Sequence, residues 1–152
     1  MLYVTSENLQ CRKDVDVVIM EGIVNAGILI KIYGYWPTFH DATVLRLFLD
    51  RGGVTGPEMT VHICLWEPNP KLDMRVLVTL IFRGIKSFIL SGFSRENMLD
   101  GIEVVPLPQP QQDNCSFSVS FHPISGPGFP PEMEFRCREI EVSNVSPCKE
   151  DE

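Results

Sequence analysis

A chain of 152 residues, 44% hydrophobic and 22% charged, has the length and composition of one domain that can bury a substantial core without a disulfide framework or a metal. Its formal net charge of -7 speaks against a nucleic-acid partner, because phosphate binding draws on clustered Lys and Arg. The same charge leaves open a basic protein partner, whose encounter negative potential would accelerate.

The N-terminal stretch MLYVTSENLQCRKD carries polar residues where a signal peptide needs its apolar core, so the cytoplasm is the expected compartment. Apolar residues become dense from Val17 to Ile32, but no run reaches the roughly 18 residues that cross a bilayer, and no membrane partner is expected. Val17, Met20, Val24 and Ile28 recur at helical spacing, Asn25 is a candidate internal cap, and Gly34 followed by Pro37 is a helix stop. The pattern predicts a helix from about Val24 to Tyr33, with a strand as the rival reading because β-branched residues are frequent there.

After Asp41 the period changes to two. Leu45, Leu47 and Leu49 alternate with Val44, Arg46 and Phe48 up to the turn Asp50-Arg-Gly-Gly53, and Met59, Val61, Ile63 and Leu65 alternate with their neighbours. Val76, Val78, Leu80 and Phe82 follow, then the short apolar run Phe88 to Leu90. SGFSRENMLD interrupts the alternation as a tight loop or single helical turn. Strand character returns from Met98 to Val105, PLPQPQQDN is a polar connector, and Phe117, Val119 and Phe121 form one face of the next strand.

HPISGPGFPPE, His122 to Glu132, is too rich in Pro and Gly for a ladder and reads as a long loop, either a contact surface or only a polar, variable connector. In the last strand Met133, Phe135 and Cys137 are apolar on one parity, Ile140 and Val142 on the other. One face cannot bury both sets, which predicts a bulge near Arg138-Glu139 or a strand buried on both sides in turn. The expected fold is α+β, mainly antiparallel: six or seven strands packed with an N-terminal helix, in a single domain over 1–152.

Candidate chemistry is sparse. His40 and Asp41 are neighbours, and at a strand entrance adjacent side chains point to opposite faces, which disfavours a base and its orienter. The structural reading has Trp36 and Phe39 anchoring the helix-to-strand corner, with His40 or Asp41 capping a turn or meeting a distant partner such as Arg136. A cysteine hydrolase would use Cys137 with His40 or His122, yet Cys137 falls on the apolar parity with Phe135 and Met133. His62 and Cys64 share a strand face but make a poor zinc signal alone. The five cysteines are odd in number and lack CxxC spacing, so they are expected mainly as buried small hydrophobes. There is no GxGxxG, P-loop, HExxH or GxSxG.

The corner GYWPTFHDATVLRLFLDRGG, the run ICLWE at Ile63 to Glu67, LIFRGI leading into LSGFSRENML, and MEFRCREIEVSNVSPC together resemble a bacterial immunity-protein family of polymorphic toxin systems, numbered fifty. The resemblance covers most of 34–148. It implies a non-enzymatic, cofactor-free protein that binds a cognate protein toxin and neutralises it by occlusion. Trp36, His40, Asp41, Glu67 and Arg136 carry over as family-typical positions. The long loop is the first candidate contact surface, with Phe129 as aromatic anchor and Glu132 and Glu134 as an acidic rim. Two other readings stand beside it: a small β-rich ligand-binding or scaffold module, which requires an apolar pocket between sheet and helix, and a hydrolase, which requires His40 and Cys137 to converge in one exposed cleft.

Overall fold

The computed structural model describes residues 22–124 and 132–149. In chain order its elements are β1 (Ile23–Val24), α1 (Gly27–Tyr33), β2 (Thr43–Asp50), β3 (Glu58–Cys64), β4 (Val76–Arg83), β5 (Lys86–Leu90), β6 (Leu99–Pro106), β7 (Phe117–Pro123), β8 (Met133–Cys137) and β9 (Glu139–Pro147). They build a five-stranded sheet ordered β1-β9-β4-β3-β2 and a four-stranded sheet ordered β5-β8-β7-β6. All pairings are antiparallel except the short parallel contact of β1 with β9.

The fold is therefore mostly β, with more strands than the six or seven expected. One addition is β1: Ile23 and Val24 do not open the helix but pair with Ile140 and Glu141 of β9. Asn25 then takes a left-handed φ of 62° and caps nothing; Ala26 is the N-cap residue and makes no side-chain capping bond. The helix shrinks to seven residues, Gly27 to Tyr33, and buries Leu29 and Tyr33, which lie one turn apart. Its end is as the sequence indicates. Gly34 takes φ 83° and donates its N–H to the Ile30 carbonyl at 2.7 Å, a conformation that costs a residue without Cβ little.

The second addition is the division of the last strand into β8 and β9, which explains the slipped parity. Arg138 is neither an ordinary bulge nor the midpoint of a strand buried on both sides. The chain changes sheets there, so Phe135 and Cys137 from one sheet and Ile140 and Val142 from the other all point into the shared core. The neighbouring chain makes the same change at Gly84, between β4 and β5, and the Arg138 N–H donates to the Arg83 carbonyl at 2.8 Å. Gly84 has φ +67°, and a Cβ there would lie 2.9 Å from the Cβ of Arg138. The crossing of these two segments thus needs glycine both for its conformation and for the close approach.

Between the sheets, Met59, Val61, Val78, Leu80 and Phe82 meet Val119, Phe121 and Phe135, all essentially inaccessible. Phe82 sits edge-on to Phe135 and Phe121 at centroid distances of 4.9 and 6.0 Å, the arrangement that the ring quadrupoles favour. The sheets also touch at the start of β2, through the bridge from Thr43 to Met98. Asn97 holds this junction: buried, it donates its side-chain amide to the Val44 carbonyl and accepts the Val44 N–H at its own carbonyl.

Cys64, at the end of β3, and Cys148, just after β9, form a disulfide with Cα atoms 6.0 Å apart. The two strands it links flank β4 in the sheet. This corrects the expectation for two of the cysteines, whose spacing of 84 residues carries no local signal. Cys115 and Cys137 are buried free thiols.

Candidate functional site

The helix exit and the end of β3 enclose a cleft of about 300 Å³. One wall is Leu65 to Pro68; the other runs from Tyr33 to His40. Tyr33 and Tyr35 reach across it to the same residue. The Tyr33 hydroxyl donates to the Glu67 carbonyl at 2.9 Å, and the Tyr35 hydroxyl donates to Glu67 Oε2 at 2.6 Å. Burial, with the Glu67 charge behind it, pushes Tyr33 up to about 12; for Tyr35, also pushed up to about 12, the hydrogen bond to Glu67 is the leading cause.

Trp66 is 62% exposed, and the Arg75 guanidinium lies 5.5 Å from its ring centroid. Arg75 is held there because its Nε donates to the Leu65 carbonyl at 3.1 Å. Tyr35 is also exposed. The cleft mouth therefore presents two aromatic rings beside a carboxylate.

The floor of the corner is apolar. Trp36 and Phe39 are buried, 8% and 2% exposed, with rings edge to face at 5.9 Å. Phe39 and Asp41 take left-handed φ values of 65° and 59°, so His40-Asp41 forms a turn rather than a strand entrance, closed by the Ala42 N–H on the Phe39 carbonyl at 3.1 Å. This overturns the expectation that adjacent side chains diverge. His40 Nε2 lies 3.4 Å from Asp41 Oδ2, and His40 Nδ1 lies 3.0 Å from the Asp100 carbonyl and 3.2 Å from Asp100 Oδ1. The Asp100 carbonyl, then the two carboxylates, raise the exposed His40 imidazole above its usual range.

Of the residues singled out from the sequence, Trp36, His40, Asp41 and Glu67 gather in or beside this cleft. Arg136 does not reach the corner. Its Nε and Nη2 hold both oxygens of Asp113 at 2.8 and 3.2 Å, and Nη2 also donates to Gln111 Oε1 at 3.0 Å. The paired guanidinium holds the Asp113 carboxyl well below the usual carboxylate range. Arg136 thus pins the polar connector between β6 and β7 onto β8.

Phe129 lies outside the described residues, as do 125–131 as a whole. Glu132 is half-buried and Glu134 exposed on β8. Burial raises the Glu132 carboxyl.

The hydrolase reading fails on geometry. Cys137 is inaccessible in the core and its thiol is pushed strongly up by burial, while His40 stands on the exposed corner. His122 pairs instead with Glu103 at 3.7 Å. His62 packs on Phe48 at 5.7 Å and Cys64 is in the disulfide; among the described residues no group of three His, Cys, Asp or Glu side chains is placed to hold a metal. A largely apolar groove of about 620 Å³ exists, lined by Leu45, Arg46, Leu47, Phe48, Leu90 and Phe93. It opens between the edges of the two sheets, not between sheet and helix as a ligand module would require.

Tyr33, Tyr35 and Trp66 went unremarked as site residues in the sequence. The available signal was two tyrosines flanking the helix-stop glycine, but their shared acceptor lies more than 30 residues on.

The titration of the cleft follows from its bonding. A tyrosine raised from 10 to about 12 in the folded state contributes stability that is fully present below pH 10. That contribution is lost as pH rises through about 12. Phenolate absorbance should show two tyrosines ionising near pH 12, and Glu67→Gln should move Tyr35 down. Normal ionisation near 10 for both would contradict the bonding described.

Among the described residues, this two-sheet domain joins aromatic rings to carboxylates in one exposed cleft and keeps its thiols buried or bridged. The model of the family described as Immunity protein 50 (Imm50) matches residues 25–148, and the chain belongs to that family. No curated protein and no solved structure matches it.

Proposed function

We propose that the protein binds a cognate bacterial toxin and neutralises it by occlusion, and that the Tyr35–Trp66–Glu67 cleft mouth is part of the contact surface. Membership of an immunity-protein family is the observation that carries the reading. The cleft supports the choice of surface: Tyr35 and Trp66 are large exposed aromatics, the residue type that dominates binding energy at interfaces. Glu67, Asp41 and Asp100 supply the negative rim that a Lys or Arg side chain of a basic toxin would meet. Glu132, Glu134 and Phe129 form a second contact region in this reading. The cytoplasm is the proposed compartment, where the target of an incoming toxin would be protected.

The test is co-expression with the toxin encoded beside the gene, followed by binding kinetics over a salt series. Trp66→Ala should raise the dissociation rate at least tenfold, about 1.4 kcal/mol, with the melting temperature nearly unchanged. Glu67→Gln should flatten the salt dependence of association. Protection with wild-type kinetics in both variants would move the interface elsewhere. No binding by any neighbouring gene product would remove the immunity reading.

A further inference from the structure

β2 is the outermost strand of its sheet. Beyond the bridge at Thr43, its free edge pairs with no other strand among the described residues; Leu90 of β5 and Phe93 stand across the groove from it. Such an edge presents unpaired N–H and C=O groups, and natural folds blunt it with charged side chains, above all Lys, with Pro or with bulges; β2 has a bulge between Val44 and Arg46, and past it the ladder with β3 is regular. Arg46 to Asp50, read RLFLD, has no Lys or Pro. Instead Phe48 and Leu49 stand 55% and 54% exposed, and Leu47 lines the apolar groove.

The two faces of this segment are settled by its pairing with β3. Arg46, Phe48 and Asp50 lie opposite His62, Thr60 and Glu58 on the outer face, while Leu47 and Leu49 lie opposite the core residues Val61 and Met59. A second copy of the strand laid antiparallel along the edge, with the two-fold axis at Phe48, sets Arg46 opposite Asp50 twice, Leu47 opposite Leu49 twice and Phe48 opposite itself. Moving the axis to Leu47 places Arg46 opposite Phe48, and moving it to Leu49 leaves Arg46 beyond the strand, opposite Gly52. Moving it to a point between residues turns outer-face side chains onto the partner's inner face. One register alone pairs unlike charges and keeps the apolar residues together.

We propose that the protein forms a homodimer by antiparallel pairing of its two β2 edges about Phe48, joining the five-stranded sheets into one continuous sheet. Self-complementarity is what an isologous contact demands and what a foreign strand would not select. Arg46 makes no ion pair among the described residues. Asp50 Oδ1 accepts the Gly52 N–H at 2.7 Å, and its second oxygen is left for the partner's Arg46. The inference does not depend on toxin binding, since the cleft mouth is built from other residues.

Sedimentation equilibrium on the full chain should give a mass twice the 17.2 kDa of one chain. Arg46→Asp should return it to the monomer mass, and adding Asp50→Arg should restore the dimer. Because Asp50→Arg also removes the Gly52 contact, a second variant fixes the register independently. Phe48→Cys should cross-link into a covalent dimer on mild oxidation. Thr60→Cys, on the same face of β3, should not, because the two copies would stand three strand spacings apart, roughly 14 Å. A monomer at every concentration, a dimer indifferent to Arg46→Asp, or equal cross-linking by the two cysteine variants would each overturn the proposal. So would a chain that is monomeric alone and loses toxin binding through Arg46→Asp, which would assign the edge to a toxin strand.

Discussion

Reduction of the Cys64–Cys148 bridge should lower the unfolding free energy by about 4–5 kcal/mol, the chain-entropy value for a cross-link closing a loop of this size, here 84 residues in sequence separation. The bridge removes extended conformations from the unfolded chain. In the folded state it ties the end of β9 to the end of β3, where the Cys148 N–H already donates to the carbonyl of Arg75, just before β4, at 2.8 Å. Against a typical total of about 5–15 kcal/mol, this is a large share. Guanidinium unfolding of the oxidised protein, the reduced protein and Cys148→Ser checks it: the last two should share one midpoint well below the first, with similar slopes. Equal midpoints before and after reduction would show that the cross-link does not constrain the unfolded chain. Thiol trapping in intact cells then reports which form is populated there: the proposed cytoplasmic compartment would favour the dithiol.

Truncation of Trp36 should have the second large effect. The ring is 8% exposed and packs edge-on against Phe39, whose left-handed backbone is costly for a bulky residue unless its side chain is well buried. Trp36→Ala therefore removes apolar contact and the support of a strained neighbour together. A loss of about 3–5 kcal/mol is expected, lowering the melting temperature by about 10 °C or more in a domain of this size. Trp66→Ala is the internal control. Its ring is 62% exposed, so its melting temperature should change little while the proposed toxin binding weakens. Similar melting temperatures for Trp36→Ala and wild type would show that the corner is held by its backbone hydrogen bonds alone.

The contrast between these tryptophans marks how far the sequence can be read. Both lie in motifs that resemble the immunity family, and neither motif says which ring is buried. Trp36 follows a helix stop and Trp66 ends a strand, but their burial depends on which elements pass over them. The same holds for His40 and Asp41. An extended strand entrance would part them, whereas the two left-handed residues observed around His40 bring them to one side. Those φ values are sustained by burial of Phe39 and by the Asp41 N–H on the Leu99 carbonyl, contacts from distant parts of the chain.

What the sequence determined by itself is the set of local properties: alternation that makes β3, β4 and β7 strands, the glycine that ends α1, and the parity slip that required some break at Arg138; in β2 a bulge between Val44 and Arg46 breaks the alternation and puts Val44 in the core. These follow from the two-residue period of the pleat and from the conformational freedom of single residues, which need no knowledge of neighbours. What only the tertiary structure decided is which strands meet. The exchange of sheets at Gly84 and Arg138, the bridge between Cys64 and Cys148, the convergence of Tyr33 and Tyr35 on Glu67, and the free edge of β2 all join or part residues across long sequence separations. Their energetics depend on desolvation and approach distance in the folded core, quantities that no local pattern encodes.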